Sequence, residues 1–181
     1  MKNLKILSQK SILTDNIIDV REAEIILPNG KKKIHHNVYR TPTVSVFPLT
    51  DSYELYLVSQ YRYLHDKISL EAMSGFMEKG ELPLESAKRE LKEETGLTAD
   101  FWKPLPVFEL AGSVIRSQLH LFIAKDLTHG ETAFDDDEDI TLLKLSLETA
   151  VHKVLTGEIN HIASVVGILF LDRLKREGKL D

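Results

Sequence analysis

The sequence predicts a mixed α+β (α/β) fold: a mixed β-sheet sandwiched between helices, preceded by an N-terminal β-hairpin appendage. Three observations predict it. Apolar, β-rich runs recur along the chain without regular βαβ alternation. Three segments carry helical start, stop or periodicity signals. A Pro28-Asn29-Gly30 turn separates two strand-like runs near the start.

That turn joins strands expected at residues 20–27 and 31–39, because Asn and Gly tolerate positive φ. Strands are also expected at 43–49 and 54–59, on either side of Thr50-Asp51-Ser52. Three more are expected at 105–110, 118–124 and 140–145. The first helix is expected over 84–95, with Pro83 at its start and Gly96 just past its end. The second covers 147–156 and stops at Gly157. The third covers 160–177 with Asn160 as N-cap. Its apolar positions Ile162, Val165, Val166, Leu169 and Phe170 follow i, i+3, i+4 spacing.

Composition bounds the function. The 181 residues suit one domain with a small appendage, and 43% hydrophobic residues are enough for a core. There is no cysteine, which excludes thiolate catalysis, disulfides and cysteine-based zinc sites. The net charge of −5 argues against non-specific binding to nucleic acid or a membrane surface. It also means that chemistry on anionic phosphates would need local cations or bound metal. The first fifteen residues lack the apolar core of a signal peptide, and the apolar stretch at 165–171 is too short to span a bilayer. A cytoplasmic location is expected.

The first helix carries its charges in an unfavourable place. Leu84, Ala87 and Leu91 form its apolar stripe, and Glu90, Glu93 and Glu94 share one flank of it at i, i+3, i+4. Like charges at that spacing cost about 0.2–0.5 kcal/mol per pair. In the last turn the helix dipole adds about 0.3–1 kcal/mol for each anion. Arg89 can pair with Glu85 or Glu93, but one arginine cannot neutralise the cluster. A divalent cation can, since Mg²⁺ takes hard oxygen ligands and keeps waters and substrate phosphates in its shell. The competing reading is a solvated acidic face.

The wider pattern decides between them. Gly75, five residues, Glu81, seven residues, Arg89-Glu90-Leu91, one residue, Glu93-Glu94, one residue, Gly96-Leu97 resembles the Nudix box, G-x5-E-x7-R-E-U-x-E-E-x-G-U with U aliphatic. Every defined position matches. The resemblance implies a Nudix fold and Mg²⁺-dependent hydrolysis of a pyrophosphate, with Mn²⁺ able to substitute. Carried over by position, it implies Glu90, Glu93 and Glu94 as metal ligands and catalytic carboxylates, joined by the backbone carbonyl of Ser74. Arg89 and Glu81 would orient those carboxylates, and Gly75 would allow close approach of the backbone.

Residues 43–171 further resemble the ADP-ribose and nucleoside-diphosphate-sugar pyrophosphatase branch. The resemblance is carried by Val58-Ser-Gln-Tyr-Arg-Tyr63, Glu71-Ala-Met-Ser-Gly75, Leu119-His-Leu-Phe-Ile-Ala124, Glu138-Asp-Ile140 and Gly157-Glu-Ile159. It implies a β region over 1–40 that serves homodimerisation, a hydrolase domain over 41–181, and Asp136 or Glu138 completing the metal site or acting as general base. Arg62, Glu71, Tyr61 and Arg116 are the candidate substrate contacts, with Arg62 matched to phosphate by its planar guanidinium. Glu71 would contact substrate or an arginine. His120 is read as a core histidine, Trp102 and Tyr39 as structural. Where this branch carries a proline and a glutamate after the box, the chain has Gly112 and Ser117. ADP-ribose and an NDP-hexose such as GDP-mannose are therefore both expected substrates. The alternatives are another nucleoside diphosphate derivative or a triphosphate as substrate, or a non-catalytic module that senses a nucleotide sugar.

Overall fold

A computed structural model describes residues 4–130 and 140–180. Its elements in chain order are strands β1 (Lys5–Thr14), β2 (Ile18–Ile26), β3 (Lys32–Arg40), β4 (Thr43–Pro48), β5 (Glu54–Arg62), β6 (Lys67–Glu71) and β7 (Met73–Phe76), helix α1 (Pro83–Thr95), strands β8 (Leu97–Pro104), β9 (Phe108–Glu109), β10 (Ile115–Arg116), β11 (Gln118–His129) and β12 (Ile140–Ser146), then helices α2 (Leu147–Leu155) and α3 (Ile162–Arg176). Two compact units result: residues 1–43 with 107–119, and residues 44–106 with 120–181.

The first unit is a sheet in the order β1-β2-β3-β10. Its centre is the expected hairpin, with Gly30 at φ +80 in the turn and Leu27 and Lys31 closing it by a backbone hydrogen bond. β1 was not foreseen. It pairs antiparallel with β2 through two register shifts and is exposed along nearly its whole length. A strand with no buried face has no reason to alternate apolar and polar residues. The expected strand at 105–110 shrinks to Phe108–Glu109. Pro104 and Pro106 lack the N–H that a ladder needs.

The second unit contains sheets in the orders β7-β4-β11-β8 and β12-β5-β6. β4 is buried on both faces. Val44 and Val46 join Ala87 and Leu91 of α1 in a core completed by Val58, Met73, Leu97, Phe122 and Ala124. Phe47, on the opposite face of β4, meets α3 at Gly167, where a Cβ would fall 1.9 Å from the ring. The strand is thus held between α1 and α3. The buried face of α3 differs from the expected stripe. Ala163, Ser164, Gly167, Ile168 and Leu171 point inward, while Ile162 is 57% and Leu169 39% exposed. The helix is apolar on most sides, so spacing alone did not choose a face. Small residues chose it by letting the backbone approach Phe47. Its N-cap is His161, not Asn160, whose Oδ1 instead accepts from Lys67 Nζ at 3.0 Å. No helix among the described residues is long and apolar enough to cross a membrane.

Candidate active site

α1 places the carboxylates. Pro83 fits its first turn, where no backbone N–H is missed, and Gly96 ends it at φ +69 with its N–H bonded to Lys92 O. With Ala87 and Leu91 turned fully inward, Glu90 and Glu94 lie at the margin of the core, 9% and 7% exposed, and Glu93 lies farther out.

Arg89 organises this margin. Its Nε and Nη2 donate to the two oxygens of Glu81 at 3.1 Å each, and its Nη1 donates to Glu90 Oε1 at 2.7 Å and Glu93 Oε2 at 3.0 Å. Nη2 also donates to Phe76 O at 3.1 Å and Ser86 Oγ at 3.2 Å. Glu85, the other expected partner, pairs with Lys88 instead. The arginine beside it holds the Glu81 carboxyl down to about 2, aided by the backbone N–H of Glu78. The same carboxylates raise Arg89 above its ordinary value, led by Glu81.

Gly75 is required by Glu90. A Cβ on Gly75 would fall 1.9 Å from Glu90 Oε1, so the carboxylate packs directly against this glycine. The adjoining Ser74 is fixed through its hydroxyl, 2.5 Å from Ser45 Oγ and donating to Ala72 O at 3.0 Å.

These residues suit a divalent cation in donor type and in charge. The carboxylates and the Ser74 carbonyl are hard oxygen donors of the kind Mg²⁺ prefers. Glu81, Glu90, Glu93 and Glu94 with Arg89 carry a formal −3. Among the described residues no three His, Asp or Glu side chains form a group that could hold a metal, and Arg89 Nη1 bridges Glu90 and Glu93.

A second corner lies where β5 and β6 end. Arg62 clamps Glu71 with two hydrogen bonds, Nε to Oε1 at 3.1 Å and Nη2 to Oε2 at 2.7 Å. Glu71 is 3% exposed. Burial pushes its carboxyl up, but hydrogen bonds from Arg62 and Ser69 and the charges of His161 and Arg62 outweigh it, leaving the group below its ordinary range. His161 brings Nδ1 to 3.6 Å from Glu71 Oε2 and to 3.3 Å from Ser164 Oγ, which accepts from Ala72 N at 2.9 Å. His161 was not singled out from the sequence, where it is an isolated histidine with no spacing to mark it.

The remaining candidates fall elsewhere. Tyr61 is 52% exposed and donates to Asp66 Oδ1 at 2.6 Å. Arg116 belongs to the first unit, its guanidinium 5.7 Å from the Tyr39 ring centre. In the same unit Ser117 Oγ donates to Thr41 O at 3.1 Å. His120 is half-buried, and burial lowers its pKa. Asp136 and Glu138 lie outside the described residues.

The chain is similar to known proteins in sequence and in fold. A solved "ADP compounds hydrolase" superposes with a TM-score of 0.83 over 98% of this chain and 97% of its own, at 23% identity, which supports the fold. The "ADP-ribose pyrophosphatase" of Bacillus subtilis (strain 168) is 30% identical over 175 residues, 94% of this chain and 95% of its own length. The "Methanol dehydrogenase activator" of Bacillus methanolicus is 29% identical over 169 residues, 92% and 91% of the two chains. The NUDIX domain model matches residues 39–162. With the box intact on α1 and its preceding loop, the chain belongs to the Nudix family, as a hydrolase of the ADP-ribose pyrophosphatase branch.

Proposed function

We propose that this enzyme hydrolyses the pyrophosphate of a nucleoside diphosphate sugar, ADP-ribose or an NDP-hexose such as GDP-mannose, with Mg²⁺ as its working metal and Mn²⁺ as a substitute. The observation that carries the reading is the contact between Glu90 and the Cβ-less Gly75. It sets a carboxylate of the box against the glycine that opens the box, among side chains with a formal excess of negative charge.

Glu90, Glu93, Glu94 and the Ser74 carbonyl would hold the metal. A bound divalent cation supplies neutralisation of phosphate oxygens and activation of water. Arg89 and Glu81 keep the carboxylates aimed, the supporting role that ligand side chains need. Arg62, fixed bidentately by Glu71, offers planar N–H donors to a substrate phosphate. Water adds to one phosphorus and the bridging P–O bond breaks. A nucleoside monophosphate and a sugar phosphate leave. A carboxylate accepts the water's proton. Glu93, with its side chain 46% exposed, is open to pass it to solvent, and Asp136 and Glu138 are the other candidates.

A homodimer formed through the first unit belongs to the same proposal. Ile6, Ile12 and Leu13 of edge strand β1 are each more than half exposed, an apolar edge of the kind that pairs with another chain. Sedimentation should give twice the chain mass, and a monomer at working concentration contradicts this part.

The test of function is a hydrolysis panel of ADP-ribose, GDP-mannose, ADP-glucose and UDP-glucose with Mg²⁺ and with chelator. Nucleoside monophosphate plus sugar phosphate, formed only with metal, supports the reading. Free pyrophosphate from a nucleoside triphosphate, with no sugar substrate cleaved, overturns it.

A further inference from the structure

Strand β7 is entered across a break. The chain leaves the β12-β5-β6 sheet at Glu71 and joins the β7-β4-β11-β8 sheet at Met73, with Ala72 outside both strands. A buried residue at such a step needs partners for its backbone groups other than a regular ladder. Serine hydroxyls supply them for Ala72. Its N–H donates to Ser164 Oγ at 2.9 Å, and its carbonyl accepts from Ser74 Oγ at 3.0 Å. Ala72 is buried, and so is Ser164 in the first turn of α3.

A third serine stands behind these two. Ser74 has one hydroxyl proton and gives it to Ala72, so in its 2.5 Å contact with Ser45 Oγ it is the acceptor and Ser45 the donor. Ser45 is fully buried in β4, the strand beside β7. Alternation along the two strands fixes the face on which the pair lies. Val44, Val46 and Met73 pack with Ala87 and Leu91 of α1, and Gly75 meets Glu90 of the same helix. Ser45 and Ser74 are therefore turned to the other face, where Phe47 meets Gly167 of α3. β7 has only four residues. On one face it carries the glycine against which Glu90 packs. On the other it is tied through Ser74 to β4 and, through Ala72, to α3.

We infer that Ser45 is a positioning residue for the metal site: its hydroxyl, acting through Ser74, holds β7 where Gly75 can seat Glu90 and where the Ser74 carbonyl can serve a divalent cation. This rests on the proposed function for the Ser74 carbonyl as a ligand. A hydroxyl buried in an otherwise apolar strand costs stability unless it is hydrogen-bonded, and the bond to Ser74 offsets that cost for the fold alone. Positioning demands more: a folded protein without the hydroxyl binds metal less well. Mg²⁺ requires near-ideal octahedral geometry, so a small displacement of the strand weakens a backbone ligand.

The experiment measures Mn²⁺ binding without nucleotide, read from the loss of the free-Mn²⁺ paramagnetic resonance signal, in the parent, in Ser45→Ala, in Ser74→Ala and in the double variant. Thermal unfolding of each is followed in parallel. Ser45→Ala should weaken Mn²⁺ binding about tenfold, the scale on which metal ligands depend on their outer support, and Ser74→Ala at least as much. The double variant should bind no more weakly than Ser74→Ala, because Ser45 acts through the Ser74 hydroxyl. Parent-like Mn²⁺ binding in Ser45→Ala, whatever its unfolding midpoint, assigns the pair to stability alone and overturns the inference. Losses that add in the double variant show Ser45 acting by another route and also overturn it. If Ser45→Ala does not fold, Ser74→Ala decides by the same measurement, since its hydroxyl is the shared link. A parent that binds no Mn²⁺ sinks the metal reading in the proposed function and this inference with it. A parent that binds Mn²⁺, with variants that bind it equally well, sinks this inference alone.

Discussion

Two corners of the second unit are built in opposite ways. Around Arg89, one guanidinium serves Glu81, Glu90 and Glu93, with Glu94 following on the same helix. Around Glu71, one buried carboxylate is approached by Arg62 and His161. The first corner gathers carboxylates about one guanidinium, and the second gathers a guanidinium and an imidazole about one carboxylate. The difference teaches where each external charge belongs on the proposed reading: a divalent cation at the first, a substrate phosphate at the second. Both arrangements are tolerated because the partly covered groups are tied by hydrogen bonds, which lowers the cost of burying charge.

The largest expected effect breaks the anionic corner directly. Glu94→Gln removes a ligand charge while keeping shape, and kcat should drop about 10³-fold, with an unchanged unfolding midpoint. Full turnover in that variant would remove α1 from the chemistry. Gly75→Ala comes next. Its Cβ must displace the Glu90 carboxylate, and disturbing a ligand's support costs about 10–100-fold in metal affinity or activity. Titration of activity with Mg²⁺ should show the apparent metal affinity falling with it.

A smaller effect concerns stability. Glu81 sits at about 2, well below its ordinary 4.5. A depressed carboxyl stabilises the fold above its unfolded pKa, and that contribution is lost as pH falls through the folded value. The parent should therefore lose stability between pH about 4.5 and about 2 on this account. Arg89→Gln removes the main cause, so urea unfolding across that range should give a flatter profile and, at neutral pH, a loss of roughly 1–2 kcal/mol. An unaltered acid profile would show that the Arg89–Glu81 pair does not govern it. Smallest is the effect at the Glu71 corner. Arg62→Lys keeps the charge but not the planar fork, and KM should rise about threefold to fivefold while kcat moves little. An unchanged KM would take Arg62 out of substrate contact.

The two corners were also unequally legible. The anionic corner could be read in advance because its residues share one helix and one short loop, so sequence spacing translates into spatial neighbourhood. Pro83 and Gly96 marked the helix ends, and α1 runs from Pro83 to Thr95 with Gly96 as its C-cap. The Glu71 corner joins residues 62, 71, 161 and 164 from two strands and a distant helix. Arg62 and Glu71 were reached by resemblance, but nothing local announced that His161 would join them. The same contrast runs through the fold. The β2–β3 hairpin was visible in Pro28-Asn29-Gly30, because a tight turn is a local event. β1, β6, β7 and β8 were not anticipated: β1 has no buried face, and the other three owe their state to neighbouring strands and helices more than to period. The buried face of α3 was missed for a related reason, since Gly167 selects it only by meeting Phe47.

The central claim, that the carboxylates around Arg89 serve to bind a divalent cation, is tested most directly by Mn²⁺ binding to the parent and to the Glu90→Gln, Glu94→Gln double variant, with ADP present. The account predicts binding by the parent and an affinity at least about 100-fold weaker in a folded double variant. Equal affinity in the two proteins would contradict it.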